Sequence, residues 1–149
     1  ATTRDPRPGE LNGVHYYFVS TQEFDAMIER GDMLEWALVH GKNKYGTPRG
    51  PVDEALAAGK PVLLEIDLAG ARQVRTTRPD AQFIFLAPPS WEELEHRLIG
   101  RGTESPEEQA RRLTTARVEL EAASEFDHVV INDDVERAVD ELARLIGLE

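Results

Sequence analysis

Three times along this chain a serine is followed three residues later by a glutamate at the head of a helical pattern, at Ser20/Glu23, Ser90/Glu93 and Ser105/Glu108. In that spacing the hydroxyl and the carboxylate satisfy orphan amides, so each pair marks a helix start. The first helix should run to about Arg30, where Gly31 supplies a left-handed stop, and the third has Pro106 at the favoured first position. Ala, Leu, Glu and Arg content with apolar spacing near 3.6 predicts further helices at about 51–58, 70–77 and 134–146. Between the helices lie runs apolar on both faces, at 61–66, 83–86 and 129–131. Such runs fit parallel strands covered on both sides, and their alternation with helices implies right-handed β-α-β crossovers. The expected class is α/β. Residues 14–19 and 33–48 mix Tyr, Phe, Val and Trp with Gly and charge, which predicts a smaller, partly exposed sheet.

With 149 residues, 40% of them apolar, the chain has the size and core content of one ordinary domain. No apolar run approaches the ~18 residues that a membrane-spanning helix needs, so neither disorder nor membrane insertion is expected. There is no cysteine, which excludes disulfides, a thiolate nucleophile and Cys-ligated zinc, and His15, His40, His96 and His128 show no metal-ligand spacing. No metal-binding residues are expected. A net charge of −11 repels a nucleic-acid backbone or an anionic bilayer, so an anionic ligand must be met by locally grouped cations. The chain begins at Ala1, and residues 1–15 have no signal-peptide pattern, so its beginning reads as a cut through a longer protein.

Arg4 and Arg7 are interleaved with Pro6, Pro8 and Gly9. Proline fixes φ, so two guanidiniums stand on a stiff extended segment that suits a phosphate monoester, although a solvated basic turn is the plainer reading of these residues alone. Glu35 lies beside Trp36 in a mostly apolar stretch, and Glu65 and Asp67 flank Ile66 at the end of the run 61–66. Carboxylates are costly beside apolar runs unless paired, and strand C-termini are where open α/β sheets bind ligands. That favours a site at Asp67, whereas Glu35 alone fits the exposed end of a short strand equally well. Arg97, Arg101, Arg111 and Arg112 are interrupted by Gly100 and Gly102. Arg97 and Arg101 share a helix face and the glycines permit a swing, as in a lid over phosphates; the alternative is a solvated cationic face. The stripe Arg72, Arg75, Arg78 reads as solvated surface. No Gly-x-x-x-x-Gly-Lys-Ser/Thr loop occurs, and Lys42, Lys44 and Lys60 stand in no such setting, so a triphosphate has no cradle in these residues.

Taken in order, Thr2-Thr3-Arg4-x-Pro6-Arg7-x-Gly9-Glu10, Gly13-x-x-Tyr16-x-Phe18-Val19, Glu35-Trp36-Ala37, Tyr45-Gly46-Thr47, Glu65-Ile66-Asp67-x-x-Gly70 and Arg97-x-x-x-Arg101-Gly102-Thr103 resemble guanylate kinase. The match extends to Val130-Ile131-Asn132-Asp133-Asp134 and covers essentially the whole chain. The resemblance implies a P-loop nucleoside-monophosphate-kinase-like α/β fold, a parallel sheet with helices on both faces. It implies a single 1–149 domain with a small GMP-binding sheet region over about 1–48, a mobile lid and adjoining helix over about 97–124, and the core in the remainder. It also implies a cytoplasmic enzyme of purine metabolism that transfers a phosphoryl group from ATP, bound with Mg2+, to GMP, giving ADP and GDP, with no nucleic-acid or membrane partner.

By match to the family's motifs, Arg4, Arg7, Glu10, Tyr16, Tyr45 and Thr47 would line the GMP site, with the arginines and tyrosines on the phosphate. Glu35 would read the guanine edge, and Asp67, with Glu65 in the same site, would complete base or ribose contacts near the magnesium. Arg97, Arg101 and Arg112 would be catalytic, approaching the transferring phosphoryl group, and Asn132 would lie near the donor nucleotide. The chemistry agrees: guanine offers adjacent N–H donors that a carboxylate accepts together, where adenine presents a ring acceptor. Grouped arginines supply the positioning and positive charge that phosphoryl transfer needs.

Two departures accompany the resemblance. The family's phosphate loop, with its strand and helix and a serine, is expected before Ala1, and a chain lacking it is expected to be inactive. The loop 41–45 is one residue longer than usual, with Lys44 where a second tyrosine is common. The main alternative is a non-catalytic guanylate-kinase-like nucleotide- or protein-interaction domain, against which the catalytic spacing of the lid arginines speaks. A kinase for another nucleoside monophosphate conflicts with Glu35 and Asp67.

Overall fold

Each of the three serines caps the helix it was expected to open. Ser20 Oγ accepts the Glu23 amide at 3.1 Å, Ser90 Oγ that of Glu93 at 3.1 Å and Ser105 Oγ that of Glu108 at 3.2 Å. The computed structural model describes residues 1–100, 102 and 104–148, which divide into two compact units, Ala1–Ala81 and Gln82–Glu149.

The first unit runs α1 (Thr21–Glu29), β1 (Met33–Val39), β2 (Asn43–Pro48), α2 (Arg49–Ala57), α3 (Leu68–Thr77). Gly31, at φ 73°, ends α1 as expected; α2 and α3 each begin two residues before the predicted start. β1 and β2 form an antiparallel hairpin with Glu35 opposite Thr47, Trp36 opposite Gly46 and Ala37 opposite Tyr45, and the register shifts between Met33 and Glu35. His40 and Gly41 both take positive φ at the turn, the left-handed geometry that matches the twist of two paired strands. Residues 14–19 do not form a strand. Within that stretch Tyr16 bridges to Asn12 and Phe18 to Thr2, and fully buried Thr2 also bridges Tyr45. Phe24 and Met33 pack with Val19, Met27, Ile28 and Trp36 beneath the hairpin, and burying a ring such as Phe24 contributes about 1.5–3 kcal/mol.

The run 61–66 corrects the sequence expectation. It is in no strand of the structure, and Leu63 is 67% exposed. A strand exists only through a partner's ladder, and no described segment pairs with this one; apolar content alone does not make a strand.

The second unit runs β3 (Ile84–Ala87), α4 (Trp91–Ile99), α5 (Pro106–Glu121), a 3-10 turn at Ala122–Glu125, β4 (His128–Ile131) and α6 (Val135–Leu145). β3 and β4 pair in parallel, Ile84 opposite His128 through Ala87 opposite Ile131. The crossover between them is helical, as the alternation predicted. Burial on both faces does not hold: Val130 is fully buried and Ala87 buried, but Leu86, paired with Val130, and Val129 and Ile131 on the opposite face are exposed, so among the described residues neither face of this pair is fully covered. Arg117 stacks 4.5 Å over the Trp91 ring, joining α5 to α4.

Candidate nucleotide site

Thr2, Thr3 and Arg4 are threaded between residues 17–19 and β2, with the Thr2 amide on Tyr17 O, the Val19 amide on Thr2 O and the Thr3 amide on Lys44 O, each at 3.0 Å. That anchoring aims the Arg4 side chain. Its guanidinium forks onto Glu10 at 2.9 and 3.1 Å, donates from Nε to Tyr45 Oη at 3.2 Å and from Nη1 to Asp5 O at 2.9 Å. It lies 5.5 Å from the Tyr16 ring centroid and 6.0 Å from that of Phe18, and Tyr16 meets both Phe18 and Tyr45 edge-on. Glu10 Oε1 also accepts the Arg7 amide at 2.7 Å. The Arg4 guanidinium first, and the Arg7 amide next, pull the Glu10 carboxyl down to about 2; in turn the Glu10 carboxylate raises Arg4. Arg7 itself is exposed.

A second cluster forms where α3 meets the hairpin. Thr47 Oγ1 donates to Glu35 Oε1 at 2.7 Å, directly across the ladder. Asp67 caps α3, its Oδ1 accepting the Gly70 amide at 2.8 Å. A Cβ at Gly70 would stand 3.1 Å from Asp67 Oδ1 and 3.2 Å from Glu35 Oε2, so the bare glycine lets two carboxylates converge. Asp67 therefore stands at a helix N-terminus, where the expectation had the end of a strand; the N-terminal dipole favours its charge there. Glu65 is exposed two residues earlier. Lys44, in the unusual loop position, pairs with Asp25 of α1 and sits 5.8 Å from the Trp36 ring centroid.

In the second unit Arg97 is exposed and pairs with Glu93 one turn back at 3.3 Å. Arg112 Nη2 lies 2.6 Å from Glu104 Oε1, and the other Glu104 oxygen is buried without a hydrogen-bond partner among the described residues. Arg101 lies outside the described residues. Of the two glycines read as a hinge only Gly102 has positive φ; Gly100 closes α4 in ordinary right-handed geometry. Asn132 follows β4, its amide on Ala87 O at 2.7 Å, and precedes Asp134, which caps α6.

The sequence motifs include Phe18 without assigning it a role, although it flanks Arg4, and they do not include Gln73, whose carboxamide pairs with the Trp36 backbone. Phe18 stands two residues after Tyr16 in a pattern that could have suggested a shared face; Gln73 has no local signal. Among the described residues no group of three or more His, Asp or Glu side chains could hold a metal ion, and no helix is long and apolar enough to cross a membrane.

A guanidinium framed by phenols, and a second cluster in which a hairpin carboxylate and a helix-capping carboxylate converge on one glycine, in a chain that also carries a parallel β-α-β unit, are the equipment of a nucleotide-binding α/β protein. A family model described as guanylate kinase matches residues 1–149. Guanylate kinase of Thermobifida fusca is 62% identical over 146 residues, 98% of this chain and 74% of that protein; that of Cutibacterium acnes is 59% identical over 147 residues, 99% and 74%. A crystal structure of guanylate kinase from Anaplasma phagocytophilum superposes with a TM-score of 0.71 at 33% identity, covering 98% of this chain and 71% of that one. The chain belongs to the guanylate kinase family.

Proposed function

We propose that this protein catalyses phosphoryl transfer from ATP to GMP, giving ADP and GDP, and that the first unit carries the GMP site. The observation that carries the reading is the Glu35–Thr47 contact with Asp67 opposed across Gly70. A carboxylate held by one oxygen still accepts N–H donors, and the adjacent N1–H and 2-amino groups of guanine match it where adenine does not. Arg4 and Arg7, with Tyr16 and Tyr45, bind the GMP phosphate; Glu10 orients Arg4 for that contact. Thr47 and Asp67 complete the base and ribose contacts, with Glu65 at the margin. Arg97, Arg101 and Arg112 stabilise charge on the transferring group, and Asn132 contacts the donor base. Mg2+ arrives with ATP as part of the donor substrate, and the reaction runs in the cytoplasm.

The test is a coupled assay of diphosphate formation with GMP, IMP and AMP as acceptors, in the presence and absence of Mg2+. GMP should be preferred strongly over AMP and turnover should need the metal. Equal use of GMP and AMP overturns the guanine reading.

A further inference from the structure

The carboxylate that reads the base is only as selective as its placement, and a short two-stranded hairpin is a poor ruler on its own. α3 supplies what the hairpin lacks. The Trp36 amide donates to Gln73 Oε1 at 3.0 Å and Gln73 Nε2 donates back to Trp36 O at 2.9 Å, so one side-chain amide mimics the rung of a neighbouring strand. One turn further on, Thr77 Oγ1 donates to Leu34 O at 2.7 Å. Glu35 is thus gripped through the residues on both sides of it. Gly70, Gln73 and Thr77 are spaced three and four apart on one helical face, and the first of them makes room for Glu35 Oε2 and Asp67 Oδ1.

We infer that Gln73 is a specificity-determining positioning residue: through its two bonds to the Trp36 backbone, α3 sets the separation of Glu35 from Asp67 and so the fit to the guanine edge. Gln73 does not touch the nucleotide in this scheme. It acts through β1. The inference rests on the base-reading role proposed for Glu35, and the experiment separates the two.

Full-length protein carrying Gln73→Leu or Gln73→Glu is compared with wild type and with Glu35→Gln. Leucine keeps the bulk and removes both bonds; glutamate keeps the acceptor for the Trp36 amide and sets a carboxylate against Trp36 O. For both Gln73 variants KM for GMP should rise about tenfold with kcat and KM for ATP held within about twofold, because a base displaced by a fraction of an ångström loses aligned contacts. The preference for GMP over IMP, which lacks the 2-amino group, should narrow in the same variants and in Glu35→Gln. If Glu35→Gln narrows it and folded Gln73 variants do not, the inference is overturned while the base-reading role stands. If Glu35→Gln leaves it unchanged, the base-reading role fails and this inference with it. A lowered melting temperature with KM and the GMP:IMP ratio unchanged marks Gln73 as merely structural and overturns the proposal.

Discussion

Thr47 Oγ1 sits 2.7 Å from Glu35 Oε1 on the rung of the hairpin that places the two residues face to face. The hydroxyl occupies one carboxylate oxygen and leaves the other turned to Gly70. Substituting Glu35→Gln replaces a charged acceptor with a neutral amide that also presents N–H groups to the base. Loss of a charge-assisted acceptor should weaken GMP binding by roughly 1.5–3 kcal/mol and narrow the preference over AMP. Calorimetry with both nucleotides on the folded variant measures it, and unchanged GMP affinity removes Glu35 from the site.

Thr47→Val keeps the shape and deletes only the donor, which should cost about 0.5–1.5 kcal/mol of GMP affinity. The part of this effect that runs through the bond to Glu35 should be lost in the Glu35→Gln background, leaving only the hydroxyl's own contact with the nucleotide. A double-mutant cycle in GMP affinity reads the coupling, and full additivity would mean that Thr47 and Glu35 act separately.

Gly46 faces Trp36 across the same ladder, and a Cβ there would meet Glu35 O at 2.8 Å, Trp36 Cβ at 3.0 Å and Met33 Sδ at 3.1 Å. The sulfur can move; the backbone oxygen cannot without opening the hairpin. Gly46→Ala should therefore destabilise the protein by about 1–3 kcal/mol, as overpacking does. Urea melts test this, and a variant as stable as wild type would mean the strands separate freely at this rung.

What was legible in the sequence follows the range of the forces involved. The serine caps are legible because a cap bonds within three residues; a composition that suits a half-exposed sheet marks 33–48, where the hairpin forms, but equally 14–19, where no strand does. The run 61–66 forms no strand because apolar content equips a segment to pair but does not supply the neighbour. The sequence places Asp67 at a strand end, whereas its position comes from capping α3. Gln73 was invisible, since a glutamine on an amphipathic helix looks like solvent-facing polarity until the Trp36 backbone, 37 residues away, is seen beside it.

The Arg4–Glu10 pair makes stability depend on pH. A carboxyl depressed in the folded state contributes stability that is complete above its unfolded value, 4.5 here, and is lost as pH falls through the folded value of about 2. Glu10→Gln has no such dependence at this position. The stability difference between wild type and Glu10→Gln should therefore be constant above about pH 5 and shrink steadily as pH drops from 4.5 toward 2. Urea melts at stepped pH give it directly, and a difference that does not change over that interval means the pair is not formed in solution.

Arg112 poses the question of when a contact is made. In this structure its guanidinium is 2.6 Å from Glu104, whose side chain is largely buried, so it is held in place by the protein before any substrate charge develops. A cation fixed in that way needs no reorganisation when the phosphoryl group transfers and its charge is spread over the equatorial oxygens. Its contribution should then appear in turnover and hardly in affinity. Arg112→Ala in the full-length enzyme should lower kcat by about 10² or more, with KM for GMP within about threefold of wild type. Arg101→Ala, by the family motif, should behave alike. Steady-state kinetics at saturating ATP separate the two parameters. A raised KM for GMP with kcat intact would show that these side chains hold the acceptor's ground-state phosphate, and would move them from the catalytic group to the GMP site.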